Sequence, residues 1–213
     1  MTGLCVNYNT PGLLDRMLSG LRKFYSFDMI VVDGSDKVHF PDVEKVVEKY
    51  DNVELHHFGY NIHHGPGLDY GIKFIEDEKI MVIDSDIEIF KGDLIELMDE
   101  QLKSDSYGIG DVQFVNVKGY NVHGEVKKGS LRVIPYLHPA FMLINRSIAL
   151  QWPMPIKHGA PMIETMISIH MNDGPQLQEC EIVTHDFRER GYIYHDWRGT
   201  VDRTGGYHLE KVR

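Results

Sequence analysis

Cysteine is scarce in this 213-residue chain: only Cys5 and Cys180 occur, far apart and without a CxxC. A disulfide framework and a thiolate zinc site are therefore not expected. Cys5 lies in an apolar segment and reads as a small buried hydrophobe. Long hydrophobic runs are missing too. Nowhere do about 18 consecutive apolar residues occur, and Met1 to Thr10 lacks the basic and apolar regions of a secretory leader. Basic residues number 22 against 32 acidic, a formal charge of -10, which argues against nucleic acid or an anionic membrane as partner. No internal repeat or low-complexity segment is present. These absences leave a soluble protein of a reducing compartment, expected in the cytoplasm.

Hydrophobic residues make up 42% of the chain and charged residues 25%, which excludes a disordered polymer. The length suits one domain with a full core. The charged ending Leu209-Glu210-Lys211-Val212-Arg213 has no tail-like character, consistent with one domain of a longer protein.

The most informative segment is Ile80-Met81-Val82-Ile83-Asp84-Ser85-Asp86. The short apolar run reads as a strand buried on both faces. Two carboxylates at its end need compensation, because burying an ionised carboxylate costs several kcal/mol or more, roughly. A divalent cation at the C-terminal end of an α/β strand supplies it, and a hard cation there suits a phosphate ligand.

Upstream, the pattern alternates. Leu4 to Tyr8 reads as a strand, Thr10-Pro11 as a helix start, and Leu13, Leu14, Met17, Leu18 and Leu21 recur at helical spacing. Met29 to Val32 is a second strand, closed by Asp33-Gly34-Ser35-Asp36. Asp42 is expected to cap a helix through Tyr50, Val53 to His57 to form a strand, and Leu68 to Phe74 a helix. The fold class is thus α/β, with a mixed, mainly parallel central sheet flanked by helices. In the second half, Asp111 to Val117, Ser130 to Tyr136, Ala140 to Ile144 and Cys180 to Thr184 read as strands. Ser147 to Gln151 and Ile163 to Met171 read as helices, and the chain beyond Arg188 as a loop-like tail.

Three segments, in order, resemble the nucleotide-sugar glycosyltransferases of the GT-A fold: Ile30-Val31-Val32-Asp33-Gly34-Ser35, Asn61 with Gly65-Pro66-Gly67-Leu68-Asp69-Tyr70-Gly71, and Met81 to Asp86. More distantly, the chain resembles a glycosyltransferase domain encoded by chlorella viruses. The resemblance implies a single GT-A (Rossmann-like) domain, with a nucleotide-binding half over residues 1–90 and an acceptor-binding half over 91–213 that ends in a metal-closing tail. It implies Mn²⁺ or Mg²⁺ on Asp84 and Asp86, with His208, in Gly205-Gly206-Tyr207-His208, as the late histidine that completes the site. Asp33 would contact a uracil ring, and Asp69 the ribose or sugar. The family often has a basic residue and Asn where this chain has Leu68-Asp69, so Asp69 reads equally as an exposed carboxylate at a helix start.

Other candidates complete the donor and acceptor sites. Asn7, Tyr8 and Asn9 follow the first strand where a base or ribose would sit, and Tyr8 is placed either to stack on uracil or in the core. Asp84 and Ser85 face the donor, Asp86 is the better direct ligand, and Arg198 and Lys211 would neutralise a diphosphate. Glu164, or its rival Asp186, would be the catalytic carboxylate. A late histidine leans the expectation toward retention of anomeric configuration. His56-His57 and His63-His64 do not make a four-histidine zinc site, because neighbours on a strand face opposite ways; solvation, or contact of His63 or His64 with a phosphate, is expected.

The expected activity is transfer of a hexosyl group, glucose-type or 6-deoxyhexose, from a UDP-sugar to a glycan or glycoprotein acceptor. Two alternatives stand beside it. An aspartate-nucleophile phosphohydrolase also carries Asp-x-Asp after a strand, but near its N-terminus and with a late Asp-Asp pair that this chain lacks. A non-catalytic carbohydrate-binding domain would keep the fold without turnover.

Overall fold

The computed structural model describes residues 1–157, 159–184 and 191–196. The first half alternates as its periodicity requires: β1 (Thr2–Asn7), α1 (Pro11–Arg22), β2 (Met29–Asp33), α2 (Phe40–Val47), β3 (Val53–His57), α3 (His64–Phe74) and β4 (Lys79–Ile83). The second half adds β5 (Ile87–Ile89), α4 (Leu94–Gln101), β6 (Gly108–Val115), β7 (Ile134–Asn145), α5 (Arg146–Ala149), α6 (Ile163–Met171), β8 (Leu177–Glu179), α7 (Glu181–Thr184) and β9 (Ile193–His195). Seven strands form one sheet in the order β3-β2-β1-β4-β7-β6-β8, and β5 pairs with β9 in a second.

Within the large sheet β3, β2, β1 and β4 run parallel, and β7 is antiparallel to both β4 and β6. The carboxyl ends of β1 to β4 therefore share one edge, where Asn7, Asp33, His57 and Asp84 lie. Both faces of the sheet's centre are covered, which explains the apolar runs of β1, β2 and β4. Cys5, Val31, Met81 and Ile83 pack with α1, α2 and α4; Leu4, Val32, Ile80 and Val82 pack with α3 and α6.

Helix α3 lies close on β1. It begins four residues before the expected Leu68, at His64, because Gly65 and Gly67 permit close approach and Pro66 suits a first turn. A Cβ on Gly67 would come within 2.7 Å of Val6 Cγ1, and one on Gly65 within 2.6 Å of the Lys157 backbone nitrogen. Gly65→Ala should cost about 1–3 kcal/mol, since a rigid backbone must give way. Urea denaturation checks this; a midpoint equal to the wild type would deny the close approach.

Three sequence expectations need correction. The strands expected at Ser130 to Tyr136 and Ala140 to Ile144 are one strand, β7, interrupted by an irregularity rather than a loop. Its register against β6 jumps between Gly110↔Met142 and Val112↔Leu137, and Pro139, which has no N–H for a ladder, sits in that gap. Cys180 to Thr184 is not a strand: pairing ends at Glu179, and Glu181–Thr184 turns into α7. Asp42 does not cap α2; the helix starts at Phe40, which leaves Asp42 in the first turn, where the dipole favours it. Among the described residues no helix is long and apolar enough to cross a membrane.

Candidate metal and nucleotide site

Asp84 leaves β4 with its N–H bonded to the Ala140 carbonyl at 2.8 Å, and a tight turn returns Ile87 N–H to the Asp84 carbonyl at 3.1 Å. Asp86 thus directly precedes β5, whose register against β9 sets Ile87 opposite His195. Asp196 N–H bonds the Asp86 carbonyl at 3.0 Å. This brings His195 Nε2 to 3.2 Å from Asp86 Oδ1. One ligand atom each from Asp84, Asp86 and His195 lies within 4.8 Å of the others. A cation about 2.0–2.2 Å from its ligand atoms holds them roughly 3–4.4 Å apart, so these residues fit a metal. Two carboxylates and one imidazole suit Mn²⁺ or a similar divalent ion.

Two more imidazoles surround the aspartates. His64, at the start of α3, has Nε2 3.2 Å from Asp84 Oδ1. The His138 ring, from the irregular part of β7, lies 6.2 Å from the His195 ring. Burial pushes His138 down to about 4 against the pull of Asp84, with repulsion from His195 and His64 adding to it. Burial opposes ionisation of Asp84 as well, but His64, then His195 and His138, outweigh it and hold the carboxyl below its ordinary value. For His64, burial is outweighed by Asp84 and Asp86, which raise it. Cys5 lies beneath the site and is raised by burial, then by Asp84, Asp86 and Asp33, so it is the inert hydrophobe expected.

His195 carries a pH prediction. Burial disfavours its charge, but the hydrogen bond and charge of Asp86, aided by Asp84 and Asp111, raise it above 6.5. In metal-free protein the charged pair stabilises the fold below that ordinary value, and the contribution is lost as pH rises through the raised folded value. A metal requires the neutral ring and reverses this sign. The Mn²⁺-induced rise in melting temperature should therefore be larger near pH 8 than near pH 6, within the range where histidine titrates. An Mn²⁺ shift independent of pH would remove His195 from the coordination.

At the ends of β1 to β3 the polar residues form a closed network. Asp33 is fully buried. Its Oδ1 accepts from Asn7 Nδ2 and Ser35 Oγ, each at 2.7 Å, and its Oδ2 from Ser35 N–H at 3.2 Å and His57 Nδ1 at 2.8 Å. Thr10 Oγ1 does not cap α1 with its side chain; it donates to Asn7 Oδ1 at 2.8 Å. Asn9, with φ +55°, joins the first two loops: its N–H donates to Ser35 Oγ, and its amide exchanges bonds with Asp36. Tyr8 is half-buried and Ser85 buried.

The remaining candidates fall differently. Asp69 lies within α3 rather than at its start, and Lys73 Nζ is 2.7 Å from its Oδ1, so its carboxylate is engaged by an i,i+4 pair. Glu164 opens α6 as expected and pairs with Lys157 Nζ at 3.1 Å. The Lys157 carbonyl in turn accepts from Gly65 N–H at 3.0 Å, which links Glu164 to His64 and so to Asp84. His56 is bonded by Glu54 and Tyr70. His64 is not a solvated surface histidine, because α3 turns it onto Asp84. Asp186, Arg198, His208 and Lys211 lie outside the described residues.

The sequence assigns no metal-ligand role to His195 and no carboxylate partner to His57. No spacing rule ties a ligand in β9 to one in β4; the signal is the short Tyr192-Ile193-Tyr194 stretch, prone to extended structure and ending at His195. His57 could have been found from the parallel register alone, since it is paired with Asp33.

The glycosyl transferase family 2 model matches residues 4–167. No curated protein matches the chain in sequence. Among solved structures, the mannosyltransferase PcManGT of Pyrobaculum calidifontis, in complex with GDP-Man and Mn²⁺, is similar with a TM-score of 0.63 at 14% identity, over 90% of this chain and 58% of its own. S. aureus TarS in complex with UDP-GlcNAc is similar with a TM-score of 0.58 at 18% identity, over 91% of this chain and 57% of its own. HddC of Yersinia pseudotuberculosis gives 0.53 at 12% identity, over 84% of this chain and 89% of its own. At these identities the likeness is one of fold. The chain spans less than two thirds of the first two proteins.

Proposed function

Because the chain belongs to glycosyl transferase family 2, we propose that it transfers a hexosyl group from a UDP-sugar, glucose-type or 6-deoxyhexose, to a glycan or glycoprotein acceptor. The observation that carries this reading is the convergence of Asp84, Asp86 and His195 at the carboxyl end of β4. In an acidic chain, such a site can hold Mn²⁺ or Mg²⁺ against a donor diphosphate. Once bound, the metal supplies Lewis-acid stabilisation of the leaving diphosphate.

The chain's own residues do the rest. Asp84 and Asp86 hold the cation, His64 keeps the Asp84 carboxylate oriented, and His195 closes the third side. The Asn7-Asp33-Ser35 network keeps the ends of β1 and β2 rigid beside the donor, with Tyr8 and Asn9 on the loop above. Glu164 is the base that takes the acceptor hydroxyl proton as the anomeric bond breaks. Retention drew its support from His208, which lies outside the described residues. A single displacement with Glu164 as base is the mechanism this reading takes, with retention as the alternative. Residues 1–90 would then serve the nucleotide and the remainder the acceptor. Cys5 and Cys180 are both buried and not joined in a disulfide, and the location we propose is the cytoplasm.

The test is transfer or slow hydrolysis of a panel of UDP-sugars with Mn²⁺, Mg²⁺ or EDTA. Metal-dependent release of UDP from one of them is expected. Release that EDTA leaves unchanged would contradict the metal's role. Hydrolysis of a generic aryl phosphate, lost in Asp84→Asn, would favour a phosphohydrolase instead.

A further inference from the structure

Strand β7 does not stop at the metal edge of the sheet. Its last pair with β4 is Ile83↔Phe141, and the Asp84 N–H on the Ala140 carbonyl marks the level of the metal site. Ile134 lies six residues further, about 20 Å of extended chain. There residues 134–137 pair only with 112–115 of β6, past the β6–β8 pairs that end at Gly110. Such a two-stranded arm is marginal in water by itself, and contacts with α6 and its approach brace it. Gly119, with φ +83°, packs on Ala160, and His170 Nε2 lies 2.9 Å from the Ser130 carbonyl.

Two properties meet on this arm. Of the 14 large hydrophobic residues exposed among the described residues, Phe114, Val117, Tyr120, Val126 and Leu131 fall within 18 consecutive positions. Phe114 shares a strand face with Val112 and stands opposite Pro135. Val112, Pro135 and Val126 line a groove of about 340 Å³ bordered by Met166 and Ile169 of α6. Apolar surface thus continues from Phe114 through the groove to Val126. The charge also reverses here. Between Phe114 and Pro135 stand Lys118, Lys127, Lys128 and Arg132 against Glu125 alone, in a chain of formal charge -10. Lys128 is held by Asp173 at 2.8 Å. Lys118, Lys127 and Arg132 are exposed and make no ion pair among the described residues.

Exposed aliphatic and aromatic side chains interleaved with cations suit the boundary between acyl chains and anionic headgroups. A soluble polyanion would engage the cations and leave Val126 and the groove in water. We propose that the β6–β7 arm docks this protein peripherally on an anionic lipid surface. Phe114, Val126 and the groove between them meet the acyl boundary, and Lys118, Lys127 and Arg132 lie among the headgroups. The whole-chain charge opposes such a partner at long range, but it is screened beyond about 10 Å at 0.1 M salt. Each cation close to the surface adds its own attraction, and the cytoplasmic leaflet is the anionic one. Gly119 on Ala160 places the arm near the start of α6, so docking turns the acceptor side toward the lipid. That orientation rests on the role proposed for Glu164; the docking itself does not.

The experiment is cosedimentation with vesicles of phosphatidylcholine alone, or of phosphatidylcholine and phosphatidylglycerol in equal parts. Wild type should partition at least about tenfold more strongly onto the anionic vesicles, and about 1 M salt should remove most of the difference. The triple variant Lys118→Glu, Lys127→Glu, Arg132→Glu should fall to the phosphatidylcholine level. The same charge change at Lys23→Glu, Lys37→Glu, Lys45→Glu should not, which separates location from net charge. Phe114→Ser with Val126→Ser, all charges kept, should weaken anionic binding by about tenfold. Melting temperatures should stay close to wild type, because the replaced side chains are exposed. Wild type that ignores both vesicles, or binds them equally, overturns the proposal and leaves the reading of the metal site untouched. Equal losses in the two triple variants overturn the assignment to the arm. Wild type that ignores vesicles but binds soluble polygalacturonate, with Phe114→Ser and Val126→Ser harmless, overturns it in favour of an anionic glycan.

Discussion

Asp86→Ala should reduce UDP-sugar turnover by about a thousandfold or more, the scale expected when a metal's charge is withdrawn from a developing anion. Asp86 has two structural roles that alanine separates. Its backbone carbonyl anchors β9 through Asp196 N–H, and alanine keeps that bond. Its side chain is the one that meets His195 Nε2 at 3.2 Å, and alanine removes it. The β5–β9 pairing should survive, so the loss of activity should far exceed the stability lost with the Asp86–His195 pair. The check is kcat/KM for the preferred donor, alongside a thermal melt in EDTA. A variant with near wild-type turnover would leave Asp84 and His195 without a shared ligand partner and would end the case for a three-residue metal site.

The second large effect concerns Glu164. Glu164→Gln keeps the size and the helix position but cannot accept a proton, and general-base removal costs about a hundredfold to ten-thousandfold. Donor binding should be unaffected, because the contacts that tie Glu164 to the metal site among the described residues run through Lys157, Gly65 and His64. The signature is thus a fall in kcat with unchanged UDP affinity. Loss of UDP affinity in step with kcat would make Glu164 part of the donor site. Unchanged kcat would move the base elsewhere, and Asp186 becomes the carboxylate to replace next.

What the sequence could and could not show follows from the range of the interactions involved. Strands β1, β2 and β4 and helices α1 and α6 are readable because their burial leaves a mark: Ile80 to Ile83 is apolar throughout, since α4 covers one face and α3 the other. The short edge elements were not readable. β8 and β9 have three residues each, too few for alternation to stand out, and α7 follows β8 where a longer strand was expected. A proline cannot serve the ladder, yet β7 continues past Pro139 at the register shift.

The site divides along the same line. Asp84 and Asp86 were visible as a charge anomaly at the end of a buried strand. Their partners were not, because His64, His138 and His195 reach them from three other elements, and twelve histidines give no means of choosing among them. Asp33 shows the opposite case. Its position was found from the motif, but its hydrogen bonding depends on Asn7 and His57 from the flanking strands. Sequence motifs locate a carboxylate; tertiary partners decide how it is held.

The central claim is that a divalent metal on Asp84, Asp86 and His195 holds the donor diphosphate. Its most direct test is calorimetric titration of UDP into the protein with Mn²⁺ and, separately, with EDTA. Mn²⁺ should tighten UDP by about tenfold or more, and Asp86→Ala should bind UDP equally weakly in both solutions. An affinity that neither EDTA nor Asp86→Ala changes would contradict a metal-held diphosphate at this site.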